Sequence, residues 1–146
     1  GPHVAGGLTL AHYHGFERCP SLPAVRAGHA ARFPAHVRHG VHVMAAQNRL
    51  GEVVIGDSHE YADDVSPFDD PAVDDLILGY LRGLVRLPDW TVAGRWHGVY
   101  VTHPAGPFLT ADPRPDCHVV TAPGGAGMRV AFGTAEAWWE AHPGRA

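Results

Sequence analysis

Two β-rich flanks enclose a polar turn in the middle of the chain. Val41-His42-Val43-Met44-Ala45-Ala46-Gln47 and Glu52-Val53-Val54-Ile55-Gly56-Asp57-Ser58 are separated by Asn48 to Gly51, which suit a four-residue loop, and together they predict a β-hairpin. Farther on, Val73, Leu76, Ile77, Tyr80, Leu81 and Leu84 recur at helical spacing and form one apolar stripe. Asp69 or Asp70 can cap that helix, Pro71 suits its first turn, and Leu87-Pro88 is its expected stop. Acids at its start and Arg82 and Arg86 at its end match the helix dipole. A stripe of this kind predicts a helix packed on a sheet.

The remaining segments carry weaker patterns. Leu8 to Phe16 alternates loosely, as a half-buried strand does, and Ser21-Leu22-Pro23 opens an expected helix that runs to Phe33 and stops at Pro34. An acidic loop spans Glu60 to Asp70. Trp90 to Thr102 reads as a strand in which Gly94 and Gly98 mark bulges or close backbone approach, and Pro104 to Pro115 reads as a connection. The last pattern is a short β-branched run from Cys117 to Val120, then Thr121-Ala122-Pro123, a glycine turn from Gly124 to Met128, and a helix through Ala135, Trp138 and Trp139. The order β, α, β-hairpin, α, β, β, α predicts an α+β fold. Its sheet should be largely antiparallel or mixed, with helices packed on it and a terminal strand–glycine turn–helix.

Composition narrows the function more than the fold. The chain has 146 residues, 45% hydrophobic and 18% charged, which is one globular domain's worth. A net charge of −4 without any Lys/Arg cluster argues against nucleic acid and anionic membrane surfaces as partners. No apolar run is long enough for a membrane span, and no signal-peptide pattern is present. Cys19 and Cys117 lie outside any C-x-x-C arrangement, so a reduced, cytoplasmic protein is expected. The opening Gly1-Pro2-His3 has no initiator methionine, so the expectation is that processing or cloning made this end or that the chain is cut from something longer.

Twelve histidines invite a metal reading. His12 and His14 fall two apart, as paired ligands on one strand face would, and His42, His59, Glu60, His97 and His103 are further donors. Yet no H-E-x-x-H, no C-x-x-C and no fixed three-ligand spacing occurs, so the sequence assigns no metal. Asp57-Ser58-His59-Glu60 places Ser, His and acids side by side, but neighbours on a strand point to opposite faces and do not make a triad. The glycine turn is more suggestive. Glycines remove the Cβ atoms that keep a backbone from a cofactor, and a helix start offers N–H donors and a partial positive charge.

Several stretches resemble one family. Pro20-Ser21-Leu22, His42 to Asn48, Gly51 to Tyr61, Trp96-His97-Gly98-Val99-Tyr100 and Gly124-Gly125-Ala126-Gly127-Met128 stand in the order seen in FAD-dependent oxidoreductases of the D-amino-acid oxidase/glycine oxidase superfamily. The resemblance is to the carboxy-terminal part of the branch associated with phosphonate breakdown. It implies FAD as cofactor and oxidation of a small amine by hydride transfer to the flavin, followed by imine hydrolysis. It also implies that residues 1–116 belong to a substrate-binding domain and that 117–146 form the flavin-contacting strand–turn–helix. Gly124, Gly125, Ala126, Gly127 and Met128 would then lie against the flavin ring, because negative charge developing there is stabilised by helix N–H donors.

Two departures from the family pattern matter. Arg129 stands where the family tends to carry Thr after G-G-A-G-M. Tyr100 occupies the place of an Arg that grips the substrate carboxylate in relatives acting on α-amino acids. Simple α-amino acids are therefore less expected as substrates; the branch resembled implies an aminophosphonate such as 2-aminoethylphosphonate, or its N-methyl derivative, with His42, Gln47, His97 and Tyr100 as candidate contacts by residue type. No G-x-G-x-x-G followed by an acid is present, so the half that holds the FAD pyrophosphate is expected to be missing and this piece alone to be inactive. No catalytic acid or base can be named. The alternative is a small histidine-rich metal- or ligand-binding domain without redox chemistry.

Overall fold

The structure is a computed structural model that describes residues 3–143 and, for His14, the backbone alone. The expected pairing of the His12 and His14 imidazoles therefore lies outside the described residues. The chain forms two compact units that meet at Arg95/Trp96. The expected division after Asp116 falls in the turn of a hairpin, between two paired strands. The fold class is α+β with antiparallel sheets, as the order of patterns predicts.

In the first unit three strands form one sheet in the order β1-β2-β3: β1 His3–Ala5, β2 Met44–Gln47 and β3 Val53–Gly56. The β2–β3 hairpin follows the sequence pattern. Asn48 closes it, its Oδ1 accepting from Leu50 N at 2.9 Å and Glu52 N at 3.0 Å. Odd-numbered positions of the central strand region face α4 (Pro71–Arg82). Val41, Val43 and Ala45 pack with Val73 and Leu81, the last fully buried, and Val53, Ile55, Ile77 and Tyr80 complete the layer. Asp70 caps α4, accepting from Ala72 N at 2.9 Å. The helix ends at Arg82 rather than at Leu87-Pro88, because Leu84 N and Val85 N both turn back to the Leu81 carbonyl. Asp74 on α4 pairs with Arg95.

The segment from Leu8 to Phe16 is not a strand. Gly6-Gly7 turns the chain off β1 into α1 (Thr9–His12), and a 3-10 turn follows at His14–Phe16. The amides of Thr9, Leu10 and Ala11 find the carbonyls of Gly6, Gly7 and Leu8, so the backbone bonds locally instead of across a ladder. This corner is tied down at one point. The Val43 carbonyl accepts from Gly6 N at 2.7 Å and from Thr9 Oγ1 at 3.4 Å. A Cβ on Gly6 would lie 2.5 Å from Cε1 of Tyr80, a ring itself packed edge-on against Phe33. Only glycine lets the corner sit that low.

The helix expected from Ser21 to Phe33 is α2 (Leu22–Arg32), without a side-chain bond from Ser21. Pro34 is a start as well as a stop, since its fixed φ suits the first turn of α3 (Pro34–Arg38).

The second unit is built on the hairpin β4 (Leu109–Arg114) and β5 (Cys117–Thr121), with Asp116 at a φ of 63° in its turn. The sequence pattern treats 104–115 as a connection because of its prolines. Pro113 is accommodated where the register breaks between Ala111 and Arg114, a place that asks for no ladder N–H. Conversely, Trp90 to Thr102 forms no strand. Its only pairing is an isolated bridge from Thr102 to Pro123, and Trp96, Val99 and Val101 are each about 70% exposed. After β5, a 3-10 turn at Gly124–Ala126 leads into α5 (Gly127–Ala141). Cys19 and Cys117 are free thiols. No helix among the described residues is long and apolar enough to cross a membrane.

Truncating Leu81 to alanine should cost about 2–5 kcal/mol of unfolding free energy, the range for a buried leucine that leaves a cavity. Gly6→Ala should cost about 1–3 kcal/mol through overpacking against Tyr80. Urea unfolding of each variant beside the parent measures both, and an unchanged midpoint for Gly6→Ala would mean that the corner yields to Tyr80.

Candidate functional site

The central strand region has a second face, and histidines crowd it. Met44 pairs with Gly56, so continuous register would set Ser58 opposite His42. Instead His42 N bonds to Asp57 O at 3.1 Å and Asp57 N to His42 O at 2.9 Å. The pairing has slipped by one residue, as at a β-bulge. Strict alternation would send the Asp57 side chain to the apolar face with Val43 and Ala45. The slip brings it to the face of His42, and its Oδ1 lies 3.0 Å from His42 Nε2. His59, two residues on, follows to the same side, 3.8 Å from Asp57 Oδ2.

The third imidazole arrives from α1. His12 is the last residue of that helix, and its ring stacks on His42 with centroids 3.9 Å apart. It also lies 4.4 Å from the His59 ring. One ring nitrogen from each of His12, His42 and His59 falls within 4.8 Å of the other two. Tyr13 closes one side, edge-on to His42, and Tyr61 stacks outside His59. His42 is only 2% exposed. Although its Nε2 lies near Asp57, the N–H direction is not aligned with the carboxylate, and neither ring nitrogen of His42 has a hydrogen-bond partner. Attraction between the two is therefore electrostatic more than directional.

Burial pulls the His59 imidazole below its ordinary pKa; the Asp57 carboxylate opposes this, and neighbouring His42 adds to it. For Asp57 burial acts upward, but contact with His42 and the fields of His42, His59 and His12 outweigh it, leaving the carboxyl below its usual value. The site thus favours neutral His59 beside an ionised Asp57 at neutral pH.

The residues expected to hold substrate are not gathered together within the first unit. His42 lies two residues before β2 and Gln47 at its far end, roughly 16 Å apart at about 3.3 Å per residue of extended chain, on opposite faces. Gln47 donates to Gly51 O at 3.2 Å and serves the hairpin turn. In the second unit His97 is exposed, whereas Tyr100 lies against the glycine turn. A Cβ on Gly125 would be 3.2 Å from the Tyr100 hydroxyl, and Gly124 N donates to Val101 O at 3.3 Å. Gly124 has a φ of 60°, which favours glycine, and Ala122 just before it has a φ of 57° although buried. Gly125 is exposed, α5 begins without a side-chain cap, and the Met128 side chain is 92% exposed. Between the hairpin and α5 lies an apolar cavity of about 530 Å³, lined by Phe108, Val120, Pro123, Val130 and Trp138 among others.

Gly124 and Gly127 are half-buried, and a Cβ on Gly127 would stand 2.9 Å from Pro123 Cγ, so of the turn's glycines Gly125 is the one open to solvent. The sequence pools His12, His42 and His59 with other histidines as donors without singling these three out, and it does not add Asp57 to them. The two-residue spacing of Asp57 and His59 was legible; the slip that sets them beside His42 was not. No family model, no curated protein and no solved structure matches the chain.

The pKa directions predict how stability follows acidity. Because His59 binds its proton less readily folded than unfolded, its contribution is intact above the unfolded value of about 6.5 and is lost as pH falls below it. Asp57 acts in the same sense in a lower window, below its unfolded value of about 3.9. Urea unfolding at pH 7.5 and 5.5 should show lower stability in acid, and His59→Gln should reduce that difference; an undiminished difference would remove His59 as its source.

Proposed function

We propose that this chain is the substrate-domain part of an FAD-dependent amine oxidoreductase, cytoplasmic, acting on a small aminophosphonate-like or N-methylated amine. The observation that carries the reading is the turn at Gly124–Met128. The family resemblance rests most specifically on these residues together with Gly56 to Tyr61, and here Gly124 to Met128 form a side-chain-poor turn, exposed at Gly125 and Met128, that leads into a fifteen-residue helix. Flavin, when bound, supplies two-electron oxidation of the C–N bond. The chain's own work is to present N–H groups and the positive end of α5 to the ring, and to orient the amine.

Tyr100 is the substrate candidate best supported by position, since its hydroxyl sits beside Gly125. A neutral hydroxyl in place of a guanidinium disfavours a bare carboxylate as the main anchor. The pyrophosphate and ribose of FAD belong, on this reading, to a further part of the protein carrying G-x-G-x-x-G. His97 and Gln47 remain contact candidates by residue type alone.

The test is a turnover assay of the protein expressed from its complete reading frame, supplied with FAD. Amine-dependent dye reduction or peroxide release is expected with 2-aminoethylphosphonate or its N-methyl form in preference to glycine. Gly125→Val should lower flavin content by about tenfold or more, equivalent to ~1.4 kcal/mol, with far-UV circular dichroism unchanged. Neither bound flavin nor turnover would leave the histidine-rich binding domain as the better reading.

A further inference from the structure

We propose that His12, His42, His59 and Asp57 form a binding site for one divalent transition-metal ion of the zinc type. Three imidazoles and a carboxylate beside two of them come from three separate segments on the face of the sheet opposite α4: His12 at the end of α1, His42 two residues before β2, and Asp57 and His59 past the register slip. The imidazole donors already lie within 4.8 Å of one another, and Asp57 Oδ1 is 3.0 Å from His42 Nε2. Tetrahedral coordination with metal–ligand bonds of about 2.0–2.1 Å needs donor separations of about 3.3 Å. Closing the difference takes rotation of the His12 ring out of its stack, at the end of a four-residue helix.

His42 supplies the second, independent observation. A buried imidazole with no hydrogen-bond partner at either nitrogen is costly, and a metal bond at Nε2 relieves that cost at the nitrogen nearest Asp57. The supporting backbone is fixed. His42 and Asp57 exchange both main-chain bonds, and His59 N donates to His39 O at 3.1 Å. Gly40, at a φ of 56°, lets that strand lie close, since a Cβ there would stand 2.8 Å from His59 O.

Ligand chemistry selects the ion. Three imidazoles with one carboxylate suit zinc, cobalt, nickel or ferrous iron and do not suit calcium or magnesium, which take oxygen donors. An anion is the poorer occupant, because Asp57 sits among the imidazoles. Metal binding here is independent of the flavin reading: the site lies wholly in the first unit and needs no cofactor.

The experiment is titration of the tag-free, chelator-stripped chain with Co²⁺ and then Zn²⁺. One equivalent of Co²⁺ should give intense visible bands of tetrahedral geometry, and one equivalent of Zn²⁺ should abolish them. His12→Gln and His59→Gln, both at partly exposed positions, should each weaken binding by about 100-fold or more while far-UV circular dichroism is unchanged. His103→Gln, in the other unit, should bind as the parent does. Absence of stoichiometric binding, or binding undiminished in both cluster variants, overturns the proposal. So does an equal loss in His103→Gln, which would indicate scattered surface histidines.

Discussion

The carbonyl of Val43 holds the first unit together at its tightest point. It accepts from Gly6 N and Thr9 Oγ1, so the chain leaving β1 must turn down onto the central strand before α1 begins. Its own side chain, 1% exposed, belongs to the apolar layer under α4. One residue thus fixes the corner through its backbone and the core through its methyl groups. The position of His12 follows: a four-residue helix hung from this carbonyl delivers its last side chain over His42.

That arrangement divides labour along a single strand. Val41, Val43 and Ala45 face α4 and supply burial, the driving force for the unit. His42 and Met44 face the other way, where His12 at the end of α1, Tyr13 and His59 lie against His42, and Tyr13 reaches the Met44 sulfur. A face covered by small polar-edged rings permits buried donors that the hydrocarbon face would reject. The slip after Gly56 is what gives Asp57 to that face. In the second unit, constraint is concentrated at a turn: left-handed Ala122 and Gly124 beside Tyr100, leading into a helix none of whose residues is fully buried.

The parts of the fold written in periodic apolar patterns were legible. The hairpin around Asn48–Gly51 and the α4 stripe from Val73 to Leu81 each satisfy one simple repeat, and turn chemistry and capping agree with it. Leu8–Phe16 misled because loose alternation carries no information about Gly6-Gly7 turning the chain so that its amides bond locally. Trp90–Thr102 misled because β-prone residues make a strand only where a partner edge exists, and Pro113 hid β4 because bulge tolerance is a property of the ribbon. The candidate site was legible only in its ingredients. His12, Asp57 and His59 are separated by up to 47 positions in sequence, and a one-residue change of register has no signature in residue types.

A register slip also makes the first unit unusually sensitive to length at one spot. Loss of the single codon for Val43 would even the count between the Met44–Gly56 and His42–Asp57 pairs, and the ladder would run on without a break. His42 and Asp57 would stay opposite each other but directly beside Met44 and Gly56, so both would be turned to the hydrocarbon layer, where an ionised carboxylate has no place. Most insertions and deletions in a protein are absorbed by loops with little consequence. Here an indel of one residue, outside every helix and strand, would carry an imidazole and an acid together from one face of the sheet to the other.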